Sequence, residues 1–126
     1  MAEGRRHIIA VDFDGTLTEK SPYPIIGKIR EDAIKYINKL YNDGYLLVLW
    51  TCRSGDFLEE AINALKEARI FHCFTFVNED GLGNSSRKIV AAFYIDDRAI
   101  MKDIDWEEIY NYIKNNISVK MGGKNE

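Results

Sequence analysis

Tyr45 to Trp50, YLLVLW, is apolar at every position. A strand that meets water on one face alternates apolar and polar residues. A strand with no polar position is covered on both faces, the pattern of a parallel strand inside an α/β sheet. Both flanks agree with that. Upstream, Ile29, Ala33, Ile37, Leu40 and Tyr41 recur at helical spacing and stop before Gly44, a good helix terminator after Asn42-Asp43. Downstream, Asp56 and Glu59 are spaced as a capping box, and Phe57, Ala61, Leu65 and Ala68 supply the apolar face of a second helix. Ile8 to Phe13, Phe74 to Val77 and Ala91 to Ile95 read as three further strands. Asp105 with Glu108 opens a last helix, whose Trp106, Ile109, Tyr110, Ile113 and Ile117 are expected to face inward. Strands alternating with helices predict a parallel α/β sheet joined by right-handed crossovers. Leu17 to Gly27 holds both prolines, Pro22 and Pro24, and reads as a loop or small flap; Asn78 to Ser86 is a polar, glycine-containing loop.

At 126 residues the chain suffices for one domain, with a core over about 7–117 and a polar tail, 118–126, expected to fray. Apolar content of 46% and charged content of 29% argue against disorder, and a net charge of −3 without a basic run leaves no nucleic-acid signature. Cys52 and Cys73 make no disulfide framework and no CxxC pair, so reduced thiols are expected. No run approaches the roughly 20 apolar residues of a membrane span, and the N-terminus lacks a signal-peptide core. A soluble, cytoplasmic protein is the expectation.

In a parallel sheet the ligand site lies beyond the carboxyl ends of the strands. Asp12 and Asp14 follow the first strand, Thr51 the second, and Asp96-Asp97 the fourth, with Lys88 just before it. Asp12 and Asp14, two apart, share one side while the chain stays extended, and Gly15 lets the backbone turn sharply enough to aim amides at an anion. A carboxylate can attack phosphorus covalently, and a second can protonate the leaving group and then activate water. Asp-Gly is also a common turn, so this pair alone leaves both readings open.

Adjacent Asp96 and Asp97 repel unless a cation lies among them, and magnesium favours such oxygen donors; taken alone, the pair reads better as one Asp capping the following turn and the other solvated. Asp12, the backbone carbonyl of Asp14, and Asp96 would form part of its shell. The Thr51 hydroxyl with the Cys52 amide suits a phosphoryl oxygen, and Lys88 can offset the charge of nucleophile and phosphate; a strand-end threonine is otherwise unremarkable, and a solvated lysine is the usual alternative. Arg53 reads equally as a substrate-binding fork or a surface ion-pair partner. A cysteine-phosphatase loop at Cys52 would need arginine six positions on, where Leu58 stands. His7 and His72 lack metal-ligand spacing, and His72, between Phe71 and Cys73, reads as structural.

Taken together, Asp12-Phe13-Asp14-Gly15-Thr16-Leu17-Thr18, Thr51, Lys88 and Asp96-Asp97 resemble the four ordered motifs of the haloacid-dehalogenase-like superfamily. The resemblance spans residues 8–98 and is most specific at the first motif. It implies a Rossmann-like three-layer α/β/α sandwich with a mainly parallel sheet of order 5-4-1-2-3, against four strands readable in the sequence. It implies Asp12 as nucleophile forming an aspartyl-phosphate, Asp14 as general acid and base, and Thr51 and Lys88 as phosphoryl ligands. Asp96 would ligate Mg2+, with Asp97 supporting it directly or through water. An aspartate at position 14 resembles the phosphatases of that superfamily rather than its dehalogenases or transport ATPases.

Neither interval where cap modules insert has room for one, so a capless, open site is expected. Such a site admits macromolecular substrates or closure by another subunit. The reading is thus a magnesium-dependent phosphomonoester hydrolase acting on a phosphorylated substrate. The alternative is a non-catalytic, regulatory phosphate-binding protein of the same fold. A receiver-type signalling domain fits less well, because it needs a phosphoacceptor Asp after the third strand, where Asn78 stands.

Overall fold

The computed structural model describes residues 7–83, 87–99 and 103–120. Four parallel strands, β1 (Ile8–Val11), β2 (Leu46–Leu49), β3 (Phe74–Val77) and β4 (Phe93–Ile95), form one sheet in the order β3-β2-β1-β4. Between them run α1 (Glu31–Asn42) and α2 (Gly55–Glu67), and α3 (Trp106–Lys120) follows β4. The order matches the 4-1-2-3 part of the implied arrangement; among the described residues no strand follows β4. The chain is a parallel α/β, Rossmann-like fold with no cap interrupting it.

Period-two alternation along the strands sorts the core into two unequal parts. Ile9, Val11, Leu47, Leu49, Phe93 and Ile95 point to one face, where all three helices pack: Ile37 and Leu40 from α1, Ala61 and Leu65 from α2, Trp106 and Ile113 from α3. Ala10 and Val48 point to the other face, which is closed by Ile89 and Ala91 on the segment entering β4. That segment is braced by Asp80, whose carboxylate accepts the amides of Leu82 at 3.0 Å and Val90 at 2.7 Å. The described residues that cover this face belong to no helix. YLLVLW is therefore apolar throughout because both faces are covered, but by different means.

Local details differ from the sequence reading where competing contacts win. The strands are shorter, β1 ending at Val11, β2 at Leu49, and β4 starting only at Phe93. Helix α2 starts at Gly55 after Ser54, so Asp56 and Glu59 sit inside its first turns and form no capping box. Phe57 is 43% exposed, its ring set edge-on against Tyr23 at 5.9 Å instead of in the core. Asp105 does cap α3, accepting the Glu108 amide at 3.1 Å. Segment 118–126, expected to fray, enters α3 as far as Lys120; its remaining residues lie outside the described ones. No helix among the described residues is long and apolar enough to cross a membrane.

The flap is a narrow loop. An antiparallel bridge between Thr18 and Ile29 closes its base, and the Glu19 amide donates to the Lys28 carbonyl at 2.8 Å. Tyr23 and Ile25 stand exposed at its tip.

Candidate active site

The parallel ladder sets the position of the site. At its carboxyl edge the Asp12 amide donates to the Ile95 carbonyl (2.9 Å), Trp50 to Val11 (2.8 Å) and Asn78 to Leu49 (2.8 Å). Asp12, Thr51, Asn78 and Asp96 therefore leave the sheet along one edge, as parallel topology demands.

Beyond Phe13 the chain coils tightly. The amides of Thr16, Leu17 and Thr18 all turn toward the Phe13 carbonyl at 3.0–3.3 Å, and the Gly15 amide donates to Thr18 Oγ1 at 3.1 Å. Gly15 has φ 81°, and a Cβ there would collide with the carboxylate of Asp97. Only glycine meets both demands.

Thr16 is the hub of this loop. Its buried hydroxyl donates to Asp12 Oδ2 at 3.1 Å and accepts the Asp97 amide at 3.0 Å, tying the first strand's exit to the fourth's. Its carbonyl accepts the indole N–H of the fully buried Trp106 at 3.0 Å. The sequence reading gave Thr16 and Trp106 no part in the site. The signal for Thr16 was its place in the motif, and for Trp106 the need of a buried indole for an acceptor.

Asp12, Asp96 and Asp97 converge, one carboxylate oxygen from each lying within 4.8 Å of the others. Burial, the charge of Asp96, and the hydrogen bond and charge of Asp97 push the Asp12 carboxyl up to about 7, against the opposing Thr16 hydroxyl. Asp97 Oδ1 is buried and accepts no hydrogen bond among the described residues. A buried, unsatisfied carboxylate oxygen beside two more carboxylates is unfavourable unless something positive joins it. An all-oxygen donor set of high charge suits a hard divalent cation such as magnesium.

Asp14 has a different surrounding. Arg53 Nε donates to its Oδ2 at 2.8 Å and Nη2 to its Oδ1 at 2.7 Å, a bidentate fork. Hydrogen bonding to Asp14 raises the Arg53 pKa further. The Arg53 side chain has 0% exposure and that of Asp14 32%. Arg53, read as either a substrate fork or a surface ion-pair partner, forms an ion pair, but a buried one, with Asp14 on its fork. The Asp14 side chain, for the same reason, stands outside the cluster of three.

Thr51 follows β2. Its hydroxyl accepts the Arg53 amide at 3.1 Å, and its own amide donates to Asn78 Oδ1 at 2.8 Å. Asn78, with φ 58°, buttresses Thr51 from the end of β3 and was not assigned a role from the sequence. The signal was available, since asparagine tolerates the left-handed region and ends a strand beside two others that end in functional residues. Cys52 is exposed, next to Thr51. Lys88 is exposed, and its ammonium stands over the ring of Tyr94, 5.1 Å from the centroid.

The chain is similar to a solved structure, that of a conserved protein coded by a locus from Bacteroides thetaiotaomicron. The two share 35% identity and a TM-score of 0.79 over 89% of this chain and 93% of the other. No family model and no curated protein matches the chain.

Proposed function

This chain belongs to one family with the conserved Bacteroides thetaiotaomicron protein, and from that premise we propose that it is a magnesium-dependent phosphomonoester hydrolase of the haloacid-dehalogenase-like type. One observation carries the reading. Asp12 sits among Asp96 and Asp97 with a buried, unsatisfied Asp97 oxygen beside it, while Asp14, two residues on, is held apart by Arg53. Two carboxylates in opposite electrostatic settings fit a division into nucleophile and acid–base partner.

Asp12, Asp96 and Asp97, with the Asp14 carbonyl, would hold Mg2+. When bound, the cation supplies positive charge against the carboxylates and the phosphoryl oxygens. The Thr51 hydroxyl accepts the Arg53 amide and keeps its proton to donate to a phosphoryl oxygen, with the Cys52 amide beside it and Lys88 as the cationic partner. An Asp12 carboxylate oxygen attacks phosphorus. The new bond joins Asp12 oxygen to phosphorus as the bond from phosphorus to the leaving oxygen breaks, and Asp14 gives that oxygen its proton. Asp14 then takes a proton from water, which attacks phosphorus, releases Asp12 and yields orthophosphate.

A panel of phosphomonoesters covering sugar phosphates, nucleotides and phosphopeptides, assayed with and without magnesium, tests the proposal. Turnover that disappears on verified metal removal and returns with magnesium is expected. Full activity in excess EDTA, with metal verified absent, would remove the magnesium assignment. No hydrolysis anywhere on the panel would remove the hydrolase reading.

A further inference from the structure

Among the described residues Arg53 is the largest fully buried charged side chain, and its guanidinium reaches three parts of the chain. Nε and Nη2 fork onto Asp14; Nη2 also donates to the Pro24 carbonyl on the flap at 3.0 Å, and Nη1 to the Phe57 carbonyl in α2 at 3.3 Å. Its plane lies near two rings, Phe13 at 5.4 Å and Tyr23 at 5.0 Å, the first from the motif loop and the second from the flap. A surface ion pair does not look like this. Each of the three nitrogens has a geometrically defined acceptor, and the acceptor at the centre is the carboxylate on which proton transfer depends.

We propose that Arg53 is a positioning residue that fixes the Asp14 carboxylate for proton transfer and couples its placement to the flap. The proposal rests on the phosphohydrolase reading of the site and adds to it a residue and a linkage. A carboxylate accepting two parallel N–H bonds loses its rotational freedom about the last side-chain torsion, yet keeps a lone pair on each oxygen for a proton. Because the same guanidinium grips the Pro24 carbonyl and packs under Tyr23, a displacement of the flap pulls on the fork. A substrate that presses the flap down tightens it. In a chain without a cap, this provides a short mechanical route from substrate binding to the acid–base group. Lysine cannot replace it, since a point charge has neither the fork nor the planar stack.

Leaving-group dependence separates positioning from mere support. With a series of aryl and alkyl phosphates, kcat/KM reports the step in which Asp14 protonates the leaving oxygen. Arg53→Lys should lower kcat/KM for alkyl phosphates by about 10²-fold, the scale of misplacing a catalytic group. For nitrophenyl phosphate, whose leaving group needs no proton, the loss should stay within about threefold, since general acid catalysis contributes little there. The plot of log(kcat/KM) against leaving-group pKa steepens, and methylguanidinium added to Arg53→Ala should flatten it again. Should the Arg53 variants fail to fold, Tyr23→Ala on the exposed flap carries the test, with the same steepening expected at smaller amplitude. Equal losses across the series, with parallel plots for the variants and wild type, would overturn the assignment and leave the hydrolase reading standing. A wild-type protein inactive on the whole series would overturn both.

Discussion

Asp12 and Asp14 are separated by one residue, and the molecule treats them oppositely. Around Asp12 the neighbours are Asp96 and Asp97, and burial with their charge pushes its carboxyl up to about 7. Around Asp14 the neighbour is a fully buried guanidinium at 2.7 Å. Neither difference lies in the residue type. It follows from where the chain goes after Phe13, since the coil at Gly15 separates two side chains that an extended strand would have kept together. The Asp12 cluster gathers three carboxylates, whereas Asp14 shares its surroundings with a buried guanidinium. Substitutions in the two pockets should therefore affect stability with opposite signs while both impair catalysis.

The largest effect is expected from the matched asparagine pair. Asp12→Asn would remove the proposed nucleophile, so turnover should fall by about 10⁴-fold or more, as nucleophile loss does in other covalent enzymes. The metal-free protein should nonetheless melt higher at pH 8, because one of three crowded carboxylates is gone. Asp14→Asn should cut turnover by about 10²–10⁴-fold, the range of general acid–base catalysis. It should also melt lower, because a buried guanidinium left without its counter-charge costs on the order of 3 kcal/mol. Melting curves and steady-state kinetics on the two proteins check both signs. Melting shifts of the same sign would dissolve the contrast between the pockets, and wild-type turnover in Asp12→Asn would reverse the roles.

Next in size is Lys88→Ala. As a phosphoryl ligand it should lose about 10²–10³-fold in kcat with the fold intact. Lys66→Ala, on the exposed face of α2, is the control and should stay within about 0.5 kcal/mol in stability with unchanged turnover. Equal small effects would take Lys88 out of the site and turn attention to Arg87.

A smaller effect concerns pH. The Asp12 pKa is raised on folding, so its contribution to stability is fully present below its ordinary value of 3.8 and is lost as pH rises through about 7. In EDTA the melting temperature should fall between pH 6 and pH 8. Magnesium should restore it at pH 8, because a ligand held only by the folded state stabilises that state. A flat profile in EDTA would show that the cluster is not strained without a cation. The smallest effect is expected of Cys52→Ser, which keeps the amide assigned to phosphate and should change kcat by less than about threefold in the same assay, as surface substitutions do.

The order and kind of the elements could be read from periodicity because burial on a strand or helix face is a local signal. YLLVLW and the Ala33, Ile37 and Leu40 stripe of α1 needed no tertiary information, although Ile29 precedes the helix and Tyr41, placed in the same stripe, is exposed. The position of Asp12, Thr51 and Asp96-Asp97 at one edge followed from parallel topology alone. The fork between Arg53 and Asp14 did not, because it joins residues 39 apart. Nothing near Arg53 in the chain distinguishes a buried fork from a solvated arginine. Phe57 misled for a related reason: its helical register is right for the core, but the flap offers Tyr23 as a nearer ring. The start of α2 at Gly55 shows a local rule, the spacing of Asp56 and Glu59, giving way to the path the chain takes out of Thr51-Cys52-Arg53.

The hydrogen bond from Trp106 to the Thr16 carbonyl spans 90 positions of sequence. It fastens the last helix to the loop whose Thr16 hydroxyl holds Asp12. Contacts of that separation close the largest loops and belong to the slow, non-local part of a folding reaction. On a ribosome, β1 and its aspartates emerge first, but the coil at Thr16 has its full set of partners only after α3 has been made and docked. The first motif to be synthesised is thus among the last parts of the chain to reach its working shape.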